Sequence, residues 1–283
     1  MKRAFRNIAA LTWAALALGF SPLWAQKVKS PKEQQALLAV QLAKEPDARI
    51  KAIEDVLTNF ADTEFKVALL QMAVQAEQQK NDYAQIVFYG NRLLQADPKN
   101  AYALVTLASE TARHTRENDL DKDEQLAKVD KWAKDAVEAA KVMPKVRADL
   151  PDADWEAFKK DMQAQAYEAM GMADVVRKNF DGAVAHYREA LATGASPNPA
   201  TLVRLAQVYM STGKLGDASF TLDKAINTPD VPPQVKSIAE AMKAQIAKRM
   251  PPAAGAAPAS SSTPAAPAAP PSATTPPTPP GNK

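Results

Sequence analysis

A pattern of apolar and small residues is written twice between residues 164 and 226, and each position recurs 35 residues later. Within each copy the apolar residues stand three or four positions apart, which places them on one face of a helix. Glycine and polar residues interrupt each copy midway, as a turn between two antiparallel helices does. The corresponding residues are Tyr167, Met170, Gly171, Phe180, Ala183, Tyr187 and Ala190 in one copy, and Leu202, Leu205, Ala206, Leu215, Ala218, Leu222 and Ala225 in the other. Such a period is typical of helical-repeat proteins.

The two copies resemble the tetratricopeptide repeat, which has a glycine on its first helix and an alanine, aromatic, alanine series on its second. The first copy departs from that motif at Asp174, where an aromatic residue is usual, and the second departs at Ala206 and Leu222. The residues that carry the resemblance are Gly171, Phe180, Ala183, Tyr187 and Ala190, then Tyr209, Gly213, Ala218 and Ala225. The resemblance implies an all-α fold, a right-handed α-solenoid of helical hairpins, and arrays of this family usually bind other proteins.

Helical spacing of apolar residues extends the array toward both ends of residues 26–250 and predicts about five helical pairs. Pro98 and Asn100 form a junction similar to those between units of this family, because the proline ends one helix and the asparagine caps the next. A charged insertion at residues 114–125 delays the second helix of the third pair. Pro232 and Pro233 open a final helix, which we expect to cap the open end of the stack.

The first 25 residues have the pattern of a secretory signal peptide. Lys2, Arg3 and Arg6 precede an apolar run at residues 8–20, and Ala25 is a small residue suited to precede a cleavage site. We therefore expect a periplasmic or secreted bacterial protein that begins at Gln26. The alternative is an uncleaved anchor in the inner membrane, because the apolar run approaches the length that spans a bilayer. The absence of cysteine excludes disulfides and thiol chemistry.

Residues 251–283 differ in composition from everything before them. Eleven of the 22 prolines lie between Pro251 and Pro280 among alanine, serine and threonine, and no charge appears before Lys283. Such a segment cannot bury enough apolar surface to offset the entropy of ordering, so we expect a disordered tail with polyproline II character. A spacer, a glycosylated tail and a recognition tract all fit this composition.

Charge and residue counts exclude several functions. Three of the 35 basic residues lie in the N-terminal 25, which leaves a mature chain close to neutrality against 32 acidic residues and predicts no nucleic-acid partner. Two histidines without cysteine argue against zinc, and we expect His186 to point outward. Trp132 and Trp155 are predicted to pack rather than to stack on a ligand. No glycine-rich phosphate loop or nucleophile–base pattern occurs, so we expect no enzyme, no cofactor and no small-molecule substrate.

In tetratricopeptide-like arrays the first helix of each pair lines a concave groove, and the repeat register assigns the groove-facing positions of this chain. That surface is predicted to be neutral, rich in amides and modestly apolar, which suits the backbone of an extended peptide because amides both donate and accept. It departs from the Lys- and Asn-lined grooves that hold a carboxylate in some family members. The predicted groove residues are Gln71, Gln75, Gln78, Tyr102, Val105, Ser109, Gln165, Glu168, Met172, Val203, Gln207 and Met210.

These observations predict a non-enzymatic protein–protein interaction scaffold of the bacterial cell envelope, with a protein or peptide partner in the groove. Two alternatives stay open. The groove face packs against a neighbouring domain or against the chain's own tail, or the repeats oligomerise and residues 251–283 make the contact. A membrane contact is expected only if the N-terminal segment stays uncleaved.

Overall fold

The computed structural model describes residues 27–145 and 148–249, and this part of the chain contains eleven helices and no strand. Each helix packs against the next along the chain, and the helices form five antiparallel pairs followed by one capping helix, as predicted. The predicted signal segment and tail lie outside the described residues. The helices are α1 Pro31–Leu42, α2 Pro46–Asn59, α3 Lys66–Lys80, α4 Tyr83–Ala96, α5 Ala101–His114, α6 Lys122–Val142, α7 Asp152–Val176, α8 Phe180–Thr193, α9 Pro199–Ser211, α10 Leu215–Ile226 and α11 Pro233–Arg249.

Polar side chains at the helix starts supply acceptors for backbone N–H groups that have no partner within the helix. Asn100 accepts from the backbone N–H of Ala103 at 3.0 Å, so the predicted cap at the Pro98 junction is confirmed. Asp82 caps α4 in the same way through the N–H of Gln85 at 3.1 Å.

The turns inside three of the pairs share one backbone geometry, in which a left-handed residue follows the first helix. The φ angles are 55° at Asn81, 61° at Lys178 and 76° at Gly213. In each turn the next N–H bonds back to a carbonyl five residues earlier, as in Asn179 N to Asp174 O at 2.9 Å. Lys178 and Gly213 are 35 residues apart, so the repetition seen in the sequence includes the turn.

Small residues set the distance between neighbouring helices. Gly171 on α7 faces Tyr187 on α8, and a Cβ at residue 171 would lie 2.7 Å from the tyrosine Cε1. Gly90 on α4 has a similar relation to Leu107 on α5, at 2.8 Å from the leucine Cδ2. The ring of Tyr187 is buried, so the glycine and the aromatic ring together fill the space between α7 and α8.

The third and fourth pairs are longer than their neighbours. Helices α6 and α7 have 21 and 25 residues, and a loop carries part of the charged insertion between α5 and α6. Trp155 near the start of α7 is buried and stacks on Phe158, with ring centroids 5.3 Å apart. The structure therefore places Trp155 in the packing, as expected. No described helix combines the length and apolarity that a bilayer span requires.

The prediction that His186 points outward is correct only in part, because the side chain is 36% exposed but also contacts α7. His186 lies on α8 with its Nδ1 2.8 Å from the Oδ2 atom of Asp174 on α7. The side chain of Asp174 is nearly buried, and Asn179 Nδ2 donates to its other oxygen at 3.1 Å. The carboxylate that stands in place of the usual aromatic residue thus gains polar partners from the turn and from α8.

Candidate partner-binding groove

Three successive first helices, α3, α5 and α7, line a concavity of about 140 Å³. Their side chains project toward a common space because successive pairs stack in the same orientation, which places their first helices side by side. Six of the twelve predicted groove residues line this concavity, namely Gln78, Val105, Ser109, Gln165, Glu168 and Met172. The predicted register therefore brings residues of the second, third and fourth pairs together.

Three lining residues were absent from the prediction, and all of them lie on α5. They are Thr106, Glu110 and Arg113. Arg113 stands one helical turn after Ser109, so spacing alone would have found it. Thr106 and Glu110 directly follow the predicted residues Val105 and Ser109. Helix α5 therefore contributes a wider face than predicted, and neighbouring helices enclose most of its surface.

The other six predicted residues are not among those that line this concavity. Val203 and Met210 are partly buried and pack against the core of α8 to α11, while Gln207 is exposed on α9. Gln71 and Gln75 are half-buried on α3. The concavity is therefore lined by the second, third and fourth pairs, and Met172 also packs against the same core as Val203 and Met210 of the fifth pair.

Tyr102 connects α5 to the glutamines of α3 rather than presenting a free hydroxyl. Its hydroxyl donates to Gln78 Oε1 at 2.6 Å. Burial of the phenol raises the pKa of Tyr102 well above its ordinary value, although hydrogen bonds with Thr106 and Gln75 partly oppose this change. The hydroxyl thus holds the Gln78 side chain in place at the edge of the concavity.

Carboxylates in the concavity are matched by arginines of the same chain. Glu168 on α7 accepts from Thr201 Oγ1 at 2.9 Å and from Arg204 Nη1, so it joins the fourth pair to the fifth. Glu110 accepts from Arg113 Nη1 at 2.9 Å. Ion pairs, as well as amide side chains, thus keep this surface neutral. The Glu168 side chain is largely buried in its contact with Arg204.

Replacing Tyr102 with phenylalanine should change the pH dependence of stability at alkaline pH. The folded pKa of Tyr102 lies above the ordinary value of 10.0, so above pH 10 the folded state holds a proton that the unfolded state has lost. Tyr102 therefore makes the parent chain lose up to about 1.4 kcal/mol of stability per pH unit in that window. At pH 7 the variant should be less stable by about 1 kcal/mol because the bond to Gln78 is lost.

Urea unfolding at pH 7, 10 and 11 measures this change. The parent chain should lose its advantage in the free energy of unfolding over the Tyr102→Phe variant as the pH rises from 10 to 11. A difference in the free energy of unfolding that stays constant over this window would contradict a raised pKa at Tyr102. Tyr167→Phe on α7 serves as the control, because the Tyr167 hydroxyl makes no hydrogen bond with another described residue.

Hairpins of antiparallel helices stacked in one direction, with small residues between them, define an α-solenoid of the tetratricopeptide type. Residues 177–246, which reach from the turn before α8 into α11, match the tetratricopeptide repeat family. The fold is similar to that of a thermophilic tetratricopeptide repeat protein from Thermus thermophilus, with 18% identity and a TM-score of 0.50. That similarity covers 74% of this chain and 97% of the other.

Two further structures of the same class have lower TM-scores. A tetratricopeptide repeat protein from Parabacteroides merdae is 10% identical, with a TM-score of 0.28, over 74% of this chain and 95% of its own. The TPR2AB domain of yeast Sti1 in a pHSP90 complex is 14% identical, with a TM-score of 0.26, over 76% of this chain and 96% of its own. No curated protein matches this chain. At 18% identity, the similarity to the Thermus thermophilus protein concerns the fold alone.

Proposed function

We propose that this protein is a non-enzymatic scaffold of the bacterial cell envelope that binds a protein or peptide partner in the concave groove. The observation that carries the proposal is the concavity to which α3, α5 and α7 each contribute side chains. Tetratricopeptide folds present such a surface to other proteins, and the N-terminal 25 residues have the composition of an export signal.

The polar groups of the concavity suit an uncharged, extended segment. Gln165 and Ser109 make no side-chain hydrogen bond with any other residue in the described part of the chain, so both can pair with a partner's backbone. The charges of Glu110 and Glu168 are already matched within the chain. Met172, which is partly buried, supplies apolar surface beside them. A partner backbone therefore finds donors and acceptors here without having to supply a counter-charge.

Photo-crosslinking in the native envelope tests this proposal. A photoreactive residue at Gln165 of the full-length chain should form a discrete adduct with one protein partner. The same residue at Glu138, which is exposed on α6 and outside the concavity, should not form that adduct. An equal adduct from both positions, or none from position 165, would contradict binding in the groove.

A charge substitution refines the same test. Gln165→Glu places a third carboxylate beside Glu110 and Glu168, so it should weaken partner binding by about tenfold, or about 1.4 kcal/mol. Gln79→Glu is the matched control, because Gln79 is exposed on α3 and does not line the concavity. Helicity measured by circular dichroism should stay unchanged in both variants. Deleting residues 251–283 should leave the adduct in place; its loss would instead favour a contact made by the tail.

A further inference from the structure

A second concavity, of about 330 Å³, lies between the second helices α4 and α6 and does not belong to the groove described above. We call it the α4–α6 cleft. The charged insertion and the long helix α6 create it, since they carry residues of the third pair beside α4. Its lining includes Tyr83, Val87, Asn91, Gln125, Lys128 and Trp132.

The cleft has aromatic walls held in defined orientations. Tyr83 stacks on His114 with centroids 4.1 Å apart and planes 12° apart, and its hydroxyl lies 3.5 Å from Thr111 Oγ1. Trp132 packs one side against the core of α5 to α7 and lines the cleft with the other. Neither ring has to be ordered when a ligand binds, which lowers the entropy cost of association.

An exposed phenylalanine lies next to the cleft on α4. Phe88 stands one helical turn after Ala84, which lines the cleft, and 51% of its surface is exposed. Its ring meets Tyr89 edge to face at 5.1 Å, and the Arg92 guanidinium lies 5.3 Å from its centroid. These contacts restrain a large apolar side chain that no other described element covers.

The hydrogen-bonding groups of the cleft are suited to a ligand that offers acceptors. The indole N–H of Trp132 donates to no other residue in the described ranges. Lys128 carries three donor hydrogens and pairs with Glu124 at 2.7 Å. A polyproline II segment matches this pattern, because proline lacks an N–H and the backbone carbonyls of the segment remain free. Aromatic-lined grooves bind such segments.

The sequence of the chain includes a proline-rich stretch suited to this conformation. Residues 264–271 read Pro-Ala-Ala-Pro-Ala-Ala-Pro-Pro. A polyproline II helix has three residues per turn, so Pro264, Pro267 and Pro270 would share one face. The alanines between them add little bulk, and no charged residue lies between 251 and 282. We propose that this stretch docks in the α4–α6 cleft of the same chain, with the three prolines against Tyr83, Phe88 and Trp132.

The length of the chain between the last helix and this stretch is sufficient for such docking. Helix α11 ends at Arg249, and the fourth and fifth pairs separate it from the cleft. Layers packed at about 10 Å place the cleft about 30 to 40 Å from the end of α11. Residues 250–263 span about 43 Å at about 3.1 Å per residue in polyproline II geometry. The docked tail would lie on the α4–α6 side and leave the concave groove open.

Distance measurement by pulsed electron paramagnetic resonance tests this proposal in the full-length chain. The chain contains no cysteine, so Ala127→Cys on α6 and Ala266→Cys in the tail give two unique labelling sites. The doubly labelled chain, diluted with excess unlabelled chain, should show a narrow population at short distance. A broad distribution in this chain would overturn the proposal. A short distance that disappears on dilution would also overturn it, because the tail would then dock on another copy.

Substitutions in the cleft and in the tail extend the test. Phe88→Ser, or alanine at Pro264, Pro267 and Pro270 together, should remove the short-distance population. Phe220→Ser is the matched control, because Phe220 is 63% exposed on α10 with the Lys224 ammonium 4.5 Å from its ring centroid. The control should keep the short distance. Persistence of that distance in both the Phe88 and the triple-proline variants would overturn the assignment to this cleft.

Discussion

Replacing Tyr187 with alanine should lower the free energy of unfolding by about 3–5 kcal/mol, the range observed when a large buried ring is removed. Only 2% of the Tyr187 surface is exposed, and the ring on α8 lies against Gly171 on α7. A truncated side chain would leave a cavity that the two backbones cannot close, because the glycine opposite has no side chain to move into it.

Chemical denaturation measures the loss, with Tyr187→Phe as the control. The Tyr187 hydroxyl makes no hydrogen bond with another described residue, so the phenylalanine variant should stay close to the parent chain. Gly171→Ala tests the same contact from the other side, since its methyl group would meet the tyrosine ring. In the Tyr187→Ala background the glycine substitution should cost less than it does alone. A loss below about 1 kcal/mol for Tyr187→Ala would contradict this account of the packing.

Replacing Asp174 with alanine should lower the free energy of unfolding by about 2–3 kcal/mol. The side chain of Asp174 accepts from His186 Nδ1 and Asn179 Nδ2, and Arg177 Nη1 lies 3.6 Å from its Oδ1 atom. Removing the carboxylate leaves these donors without their acceptor at a site that is only partly accessible to solvent. The expected loss lies below that of a fully buried ion pair because His186 and Arg177 keep contact with solvent.

Thermal and urea unfolding measure this loss, and Asp181→Ala supplies the control. Asp181 is exposed in the first turn of α8, so its removal should cost only about 0.5 kcal/mol through the helix dipole. Asp174→Asn should recover part of the stability, because an amide oxygen still accepts from Asn179. Equal stability of Asp174→Ala and the parent chain would mean that the buried carboxylate contributes nothing net.

Local spacing was sufficient to predict the helices, their pairing and their junctions. Helical periodicity and capping depend on residues within one or two turns of each other, so both can be read directly along the chain. Asn100 caps the helix that the junction predicted. The left-handed turn residues Lys178 and Gly213 recur at the same 35-residue interval as the packing positions. The all-α solenoid of five pairs and a capping helix follows from these features.

Which side chains meet across helices was decided by the tertiary structure. Periodicity places a residue on a face, but the rotation and shift of each pair against the next decide what that face contacts. His186 contacts Asp174 because α8 lies directly against α7. Gln78, Ser109 and Gln165 share one concavity, whereas Val203 and Met210 of the fifth pair pack against the core of α8 to α11.

The α4–α6 cleft was not predicted, because it too depends on how the pairs pack against each other. Tyr83 and Trp132 are about 50 residues apart and lie on helices that are not consecutive, and no spacing rule relates them. Local residue patterns are enough to decide which segments become helices and in which order they stack. The concave groove and the α4–α6 cleft arise only when packing brings distant helices side by side. Burial of each apolar face selects one arrangement of the pairs and so decides which side chains meet there.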